Sequence, residues 1–227
     1  IFYLPLLAIP LAIISFTTLD SPKITQRTPT KAYLNSISKI LKQRSLWSIF
    51  TINVLVFIIL YGAYLTFLPS FLEDTFGTNS FQIGITMSTM SITTALMASR
   101  IGYISKKYTP KRIITLASTG YILALIILAF ANYYILALLA VILYGIGQGL
   151  FIPTMQTLLA EFATKGERAT IMSINSMVLR IGQSLGPVTI TFFFFNENYM
   201  WVFLAAGGFA FIIALINMVT TRYHQIN

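Results

Sequence analysis

The sequence predicts an all-α integral membrane protein, and three observations carry that expectation. Of its 227 residues, 56% are hydrophobic and only 9% are charged, against about 25% charged in a soluble domain. Six apolar segments, 46–72, 80–103, 113–131, 133–160, 168–195 and 199–221, each approach or exceed the ~20 residues that cross the hydrocarbon core. The basic residues fall in alternate loops between those segments, which is how membrane topology is written in sequence.

Taken in order, residues 1–16 are apolar apart from Ser15 and are interrupted by Pro5 and Pro10. They lack a basic leader and a small-residue cleavage site, so they read as the end of a spanning helix rather than a signal peptide. The chain is accordingly expected to be the C-terminal part of a longer protein. Residues 17–45 hold six basic residues and one acid, Asp20. Within them Leu34, Ile37, Ile40 and Leu41 recur at helical spacing, the pattern of a helix lying on the membrane surface. A flexible linker is the alternative. The six apolar segments then form a bundle over 46–221, and 222–227 is a short tail. Segments longer than the bilayer is thick are expected to tilt.

The charges orient the bundle. Loops 17–45, 100–112, 161–168 and the tail carry fourteen of the fifteen Lys and Arg residues. The opposite loops, 73–79, 132–133 and 196–198, carry none, but hold Glu73, Asp74 and Glu197. The positive-inside rule places the first set in the cytoplasm. Because the basic residues punctuate apolar segments, nucleic acid is not the expected partner. There is no cysteine and a single histidine, His224, so no His/Cys metal site, cofactor ligation or catalytic cluster is expected. An enzyme is therefore not indicated. All six acids lie in loops or at segment ends.

The fifteenth basic residue is Arg180. It lies twelve residues beyond Arg168, roughly 18 Å along a helix, near the middle of its segment. A cation at that depth costs at least ~2.5 kcal/mol, so it should face a watery cavity or a partner. It either serves structure or gating, bonded to backbone carbonyls or to a neighbouring helix end, or contacts a substrate.

Three motifs follow. Gly102-Tyr-Ile-Ser-Lys-Lys-Tyr-Thr-Pro-Lys-Arg112 is a short basic connection, with a glycine for close approach. Gly145-Ile-Gly-Gln148-Gly149 and Gly182-Gln-Ser-Leu-Gly186-Pro187 each place two glycines four residues apart on one face, where another helix can approach closely. Pro187, and Pro153 beyond the first pair, are expected to bend their helices. The basic connection, through Gly102, Ile104, Lys107, Lys111 and Arg112, resembles the Gly-x-Leu-Ala-Asp-Arg-x-Gly-Arg-Arg loop of the major facilitator superfamily. Lys106 stands at the aspartate position and Thr109 at the second glycine. The second motif resembles that family's Arg-x-x-Gln-Gly helix, with Gly145 at the arginine position. The third is similar to the Gly-x-x-x-Gly-Pro motif of its drug/proton antiporter (multidrug efflux) branch.

The resemblance implies a twelve-helix transporter. Residues 1–16 would end helix six, and 46–221 would be helices seven to twelve, a C-terminal bundle of two inverted three-helix repeats (46–131 and 133–221). It implies proton-coupled efflux of small amphiphilic compounds by alternating access against the N-terminal half, in a bacterial plasma membrane. The implied partners are a small-molecule substrate, protons, the lipid bilayer and that N-terminal half. A metabolite, sugar or siderophore carrier of the same family is the alternative; a receptor or membrane enzyme is the remote one.

Pathway candidates are polar or soft side chains at mid-membrane depth. Asn53, Phe57, Tyr61 and Tyr64 form one stripe, and Met87, Met90, Thr94 and Met97 a second. Tyr144, Gln148, Phe151 and Met155 form a third, while Asn175, Arg180 and Gln183 are the polar positions of 168–195. Aromatic rings can stack on a flat or cationic ligand, and methionine suits an adaptable surface. From these, Asn53, Tyr61, Tyr64, Met90, Gln148, Met155, Asn175 and Arg180 are the pathway residues; helix packing is the competing use of each. Gly102, Lys107, Lys111, Arg112, Glu161 and Arg168 are assigned to the cytoplasmic loops. There Glu161 is either a gate latch paired with Arg168 or Lys165, or part of a solvated pair worth under ~1 kcal/mol. Gly145, Gly149, Gly182, Gly186 and Pro187 are assigned to helix packing.

Overall fold

The computed structural model describes residues 42–162 and 168–220, with Pro10 and Ser38. The expected helix end at 1–16, nearly all of 17–41, Lys165 and the tail lie outside the described residues. Among the described residues the structure is helical throughout, with no strand.

Helix α1 runs Arg44–Phe76. It is α-helical over Arg44–Ile58, π-helical over Ile59–Phe67 and α-helical again over Leu68–Phe76. The wide turns are supported by Thr66 Oγ1, which donates to the Tyr61 carbonyl five residues back at 2.7 Å. Gly77 ends the helix at φ 62°, a backbone conformation that glycine adopts without a Cβ penalty. Helix α2 (Ser80–Ser99) opens on a capping box in which Asn79 and Gln82 satisfy each other's backbone N–H groups. The expected segment 80–103 does not run through as one helix. It breaks at Arg100 (φ −90°, ψ −5°), and a short helix α3 follows over Ile101–Lys107.

Helix α4 (Pro110–Ala129) starts on a proline, where the missing N–H removes no intrahelical bond. Helix α5 (Tyr134–Glu161) and helix α6 (Arg168–Thr191) carry Pro153 and Pro187 inside them. The turn after α6 contains a 3₁₀ segment, Phe195–Glu197, with Asn196 and Glu197 at positive φ. Helix α7 (Tyr199–Val219) is capped by Asn198, whose side chain accepts from the Met200 N–H at 2.9 Å.

Among the described residues four helices, α1, α4, α5 and α7, are long and apolar enough to cross a membrane. Helices α2 and α6 have 20 and 24 residues but are less apolar. The packing follows the two expected repeats, and it is almost entirely between them. Helix α1 lies along α6, α5 along α2, and α4 along both α5 and α7. Within each repeat the helices barely touch. The first helix of each repeat thus packs on the second helix of the other, and the two third helices pair, as an inverted repeat requires.

Glycine makes the two crossed pairs possible. A Cβ on Gly182 would lie 2.7 Å from the Val54 carbonyl oxygen, and one on Gly186 would lie 2.9 Å from the Gly62 nitrogen. In the other pair a Cβ on Gly149 would lie 2.5 Å from the Thr94 oxygen, and one on Gly145 2.9 Å from the Met90 oxygen. These are backbone approaches that no side chain permits. Gly102 differs: it is exposed on α3, with nothing within 4 Å of a built Cβ. The expected close approach there is not made: the connection is helical and packs on the core through Ile101 and Ile104, while Gly102 lies on its exposed side.

Candidate functional site

The interior of the bundle holds a cluster of aromatic and polar side chains at the meeting of α1, α4 and α5. Tyr64 and Tyr144 stack with centroids 5.1 Å apart and planes 9° apart. Tyr121 of α4 packs on Tyr144 at 4.8 Å and on Phe151 at 6.2 Å. The Tyr121 hydroxyl donates to Gln148 Oε1. All of these side chains are buried. The hydroxyls of Tyr64 and Tyr144 have no hydrogen-bond partner among the described residues. A phenol left unpaired in an apolar bundle is costly, so the cluster has hydrogen-bonding capacity that the described helices do not themselves use.

A second polar contact lies in the α1–α6 seam. Asn53 Nδ2 donates to Asn175 Oδ1 at 2.8 Å, with both residues buried. The α2–α5 seam is tied by Thr94 Oγ1, which donates to the Gly145 carbonyl at 3.1 Å. Met90 and Met155 are buried and pack in the core. Of the eight pathway candidates, six are therefore interior: Asn53, Tyr64, Met90, Gln148, Met155 and Asn175. Tyr61 is half-buried and stacks on Phe57 at 5.9 Å.

Arg180 stands apart. It is exposed, at the thirteenth of the 24 residues of α6. With Ile181, Ser184 and Leu185 it rims a shallow cavity of about 370 Å³. Ser173, Ser176 and Ser184 share its exposed side, and Ser88 and Ser91 are exposed on α2. The exposed sides of the two less apolar helices therefore carry hydroxyls and a mid-helix cation among apolar side chains such as Ile92 and Met177. Sequence reasoning passed over these serines; their recurrence at helical spacing with Arg180 was the available signal. It also passed over Tyr121 and Gly62. Tyr121 could have been found as a phenol at mid-span, which needs a partner in lipid.

The loop residues are at the ends of the helices. Lys111 Nζ donates to the Met218 carbonyl at 2.9 Å, at the last turn of α7. Asn217 reaches back to the Lys111 carbonyl and to Thr115 Oγ1 at 3.0 and 2.9 Å. Lys107 and Arg112 are exposed, with Lys107 lying 5.8 Å from the centroid of the Tyr108 ring. Glu161 and Arg168 are exposed on either side of 163–167, which lie outside the described residues. At the opposite end the Tyr199 hydroxyl bonds Asp74. Among the described residues no group of three or more His, Cys, Asp and Glu side chains could hold a metal ion.

Comparison with known proteins agrees with this architecture. Two overlapping stretches, residues 1–187 and 64–225, match the family model described as Major Facilitator Superfamily. The fosmidomycin resistance protein of Escherichia coli (strain K12) is 26% identical over 159 residues, 69% of this chain and 39% of that protein. The bacillibactin exporter of Bacillus subtilis (strain 168) is 25% identical over 210 residues, 89% of this chain and 49% of that protein. The nucleoside transporter NupG (D323A mutant) shares the fold with a TM-score of 0.71 at 17% identity, covering 94% of this chain and 58% of that one. The chain spans half or less of the length of these two curated relatives.

Proposed function

The chain belongs to the major facilitator superfamily, and on that premise we propose that it works as one half of a secondary transporter that exports small amphiphilic compounds in exchange for protons. The observation that carries the proposal is Arg180. A guanidinium exposed at the middle of α6, beside three serines, is unsuited to lipid. It is suited to a water-filled pathway between this bundle and a second one. Helices α2 and α6 would face that pathway and the other half would cover it. Tyr61 and Arg180 would meet substrate, while the interior tyrosines and Asn53–Asn175 would fix the pathway's shape from behind.

The charge alternation supports placing loops 100–112 and 161–168 in the cytoplasm of a bacterial cell. Residues 1–16 and 17–45 would then be the end of the preceding helix and the linker between halves. The described acids, Glu73, Asp74, Glu161 and Glu197, lie in loops, turns or at helix ends, so the protonated carboxylate of the cycle would come from the other half. Efflux of a cationic dye from vesicles containing the full-length protein tests the reading. Imposing a proton gradient should accelerate efflux, and Arg180→Ala should reduce it without removing the protein from the membrane. A gradient without effect removes proton coupling, and an unaffected variant removes the role of Arg180. The similarity to the bacillibactin exporter favours a second reading, export of a siderophore-like chelate; such a compound would then outcompete the dye.

A further inference from the structure

A groove of about 670 Å³ runs along the outer side of the α4–α5 pair, away from the α2 and α6 faces. Its walls are apolar for most of their length, with Leu116 and Leu123 strongly exposed. Its floor is Gly120 and Gly147, whose mutual approach leaves no side chain to fill the space. Its mouth holds Thr109, Lys111 and Arg112. Lys111 uses one N–H on the Met218 carbonyl and keeps two others. Arg112 is exposed, and the Thr109 side chain makes no cap hydrogen bond.

From this geometry we infer that the groove binds one anionic phospholipid, its phosphate at Lys111, Arg112 and Thr109 and one acyl chain along Gly120 and Gly147. The dimensions agree. Lys111 to Leu123 is twelve residues of helix, roughly 18 Å, and one leaflet of a ~30 Å core is about half that core's thickness. A ligand with both a negative head and a tail of one-leaflet length satisfies both ends of the groove. A basic pocket between spanning helices at the membrane surface recognises such headgroups. Under the orientation proposed above, the lipid belongs to the cytoplasmic leaflet. The inference needs only that these helices lie in a bilayer, so it stands or falls independently of substrate and coupling.

The test is native mass spectrometry of the full-length protein, delipidated and titrated with phosphatidylglycerol or phosphatidylcholine of equal chain length. One phosphatidylglycerol should be retained in preference to phosphatidylcholine. Arg112→Gln should reduce that preference about fivefold, as expected for one cation near a charged surface. Thr119→Trp, which places a ring across the groove, should abolish retention, while Arg44→Gln on the α1–α7 side should leave it unchanged. Equal retention of the two lipids, or an unaltered preference in Arg112→Gln, overturns the inference. So does competition by glycerophosphoglycerol, the headgroup without tails, since that would mark an anion site without the groove.

Discussion

The α1–α6 seam carries glycines on both helices, with Gly62 facing Gly186 and Gly182 facing Val54. The α2–α5 seam carries its glycines on α5 alone and meets them with Met90, Thr94 and Met97. The two pairs occupy equivalent places in the repeat. They differ in which helix supplies the small residues, in the polar tie and in backbone form. The first is fastened by two side-chain amides and bordered by the π turns of Ile59–Phe67; the second is fastened by hydroxyls, Thr94 on the Gly145 carbonyl and Thr86 with Tyr134 at 2.8 Å, between helices without a π segment. The inverted architecture therefore constrains where helices approach, and leaves open which of the two yields its side chains.

The largest effects should come from the shared glycines. Gly62→Ala brings a methyl to 2.6 Å from the Gly186 oxygen and should destabilise the protein in mixed micelles by about 1–3 kcal/mol. Moving α6 to relieve that contact would open the contacts of Gly182 and Gly186 as well. Gly149→Ala should cost somewhat less, because only two glycines share its seam; an equal or larger cost would remove the distinction between the seams. Next in size is the amide pair. Asn175→Ala leaves the Asn53 amide buried without that partner and should cost about 1–2 kcal/mol. The double change Asn53→Ala with Asn175→Ala should cost less than the sum of the two single alanine variants, measured as a double-mutant cycle. Thr94→Val removes one of the hydroxyl ties on the other side, leaving Thr86–Tyr134 in place, and should cost only about 0.6 kcal/mol. Gly84 on α2 is exposed with nothing within 4 Å of a built Cβ, so Gly84→Ala should leave stability unchanged or raise it by up to about 1 kcal/mol. A loss of stability there would show that glycine is needed in these helices for reasons other than approach.

The class of fold and its helix order were legible because lipid imposes long apolar helices separated by short polar connections. The glycine pairs Gly145/Gly149 and Gly182/Gly186 were legible for the same reason: a four-residue spacing fixes a face. The site was less so. Asn53, Phe57, Tyr61 and Tyr64 form one stripe when counted at the α-helical period, but the helix widens at Ile59. Asn53 consequently meets α6, Tyr64 meets Tyr144 of α5, and Phe57 and Tyr61 stack between them at the half-exposed level. Polarity was also an ambiguous guide. Gln148 and Asn175 needed partners, and they found them inside the bundle, in Tyr121 and Asn53. The exposed face was marked instead by small hydroxyls and Arg180, of which only the arginine is conspicuous in a sequence.

Because each repeat has so little contact within itself, assembly is also a matter of time. Asn53 and Asn175 are separated by 122 positions. At a synthesis rate of about 5–20 residues per second, α1 would leave the ribosome roughly 6–24 s before its main partner. During that interval Gly62 and the Asn53 amide have nothing of their own chain to close against. The helix that later sets glycine against glycine is the one that waits longest, in contact with lipid or with whatever machinery shelters it.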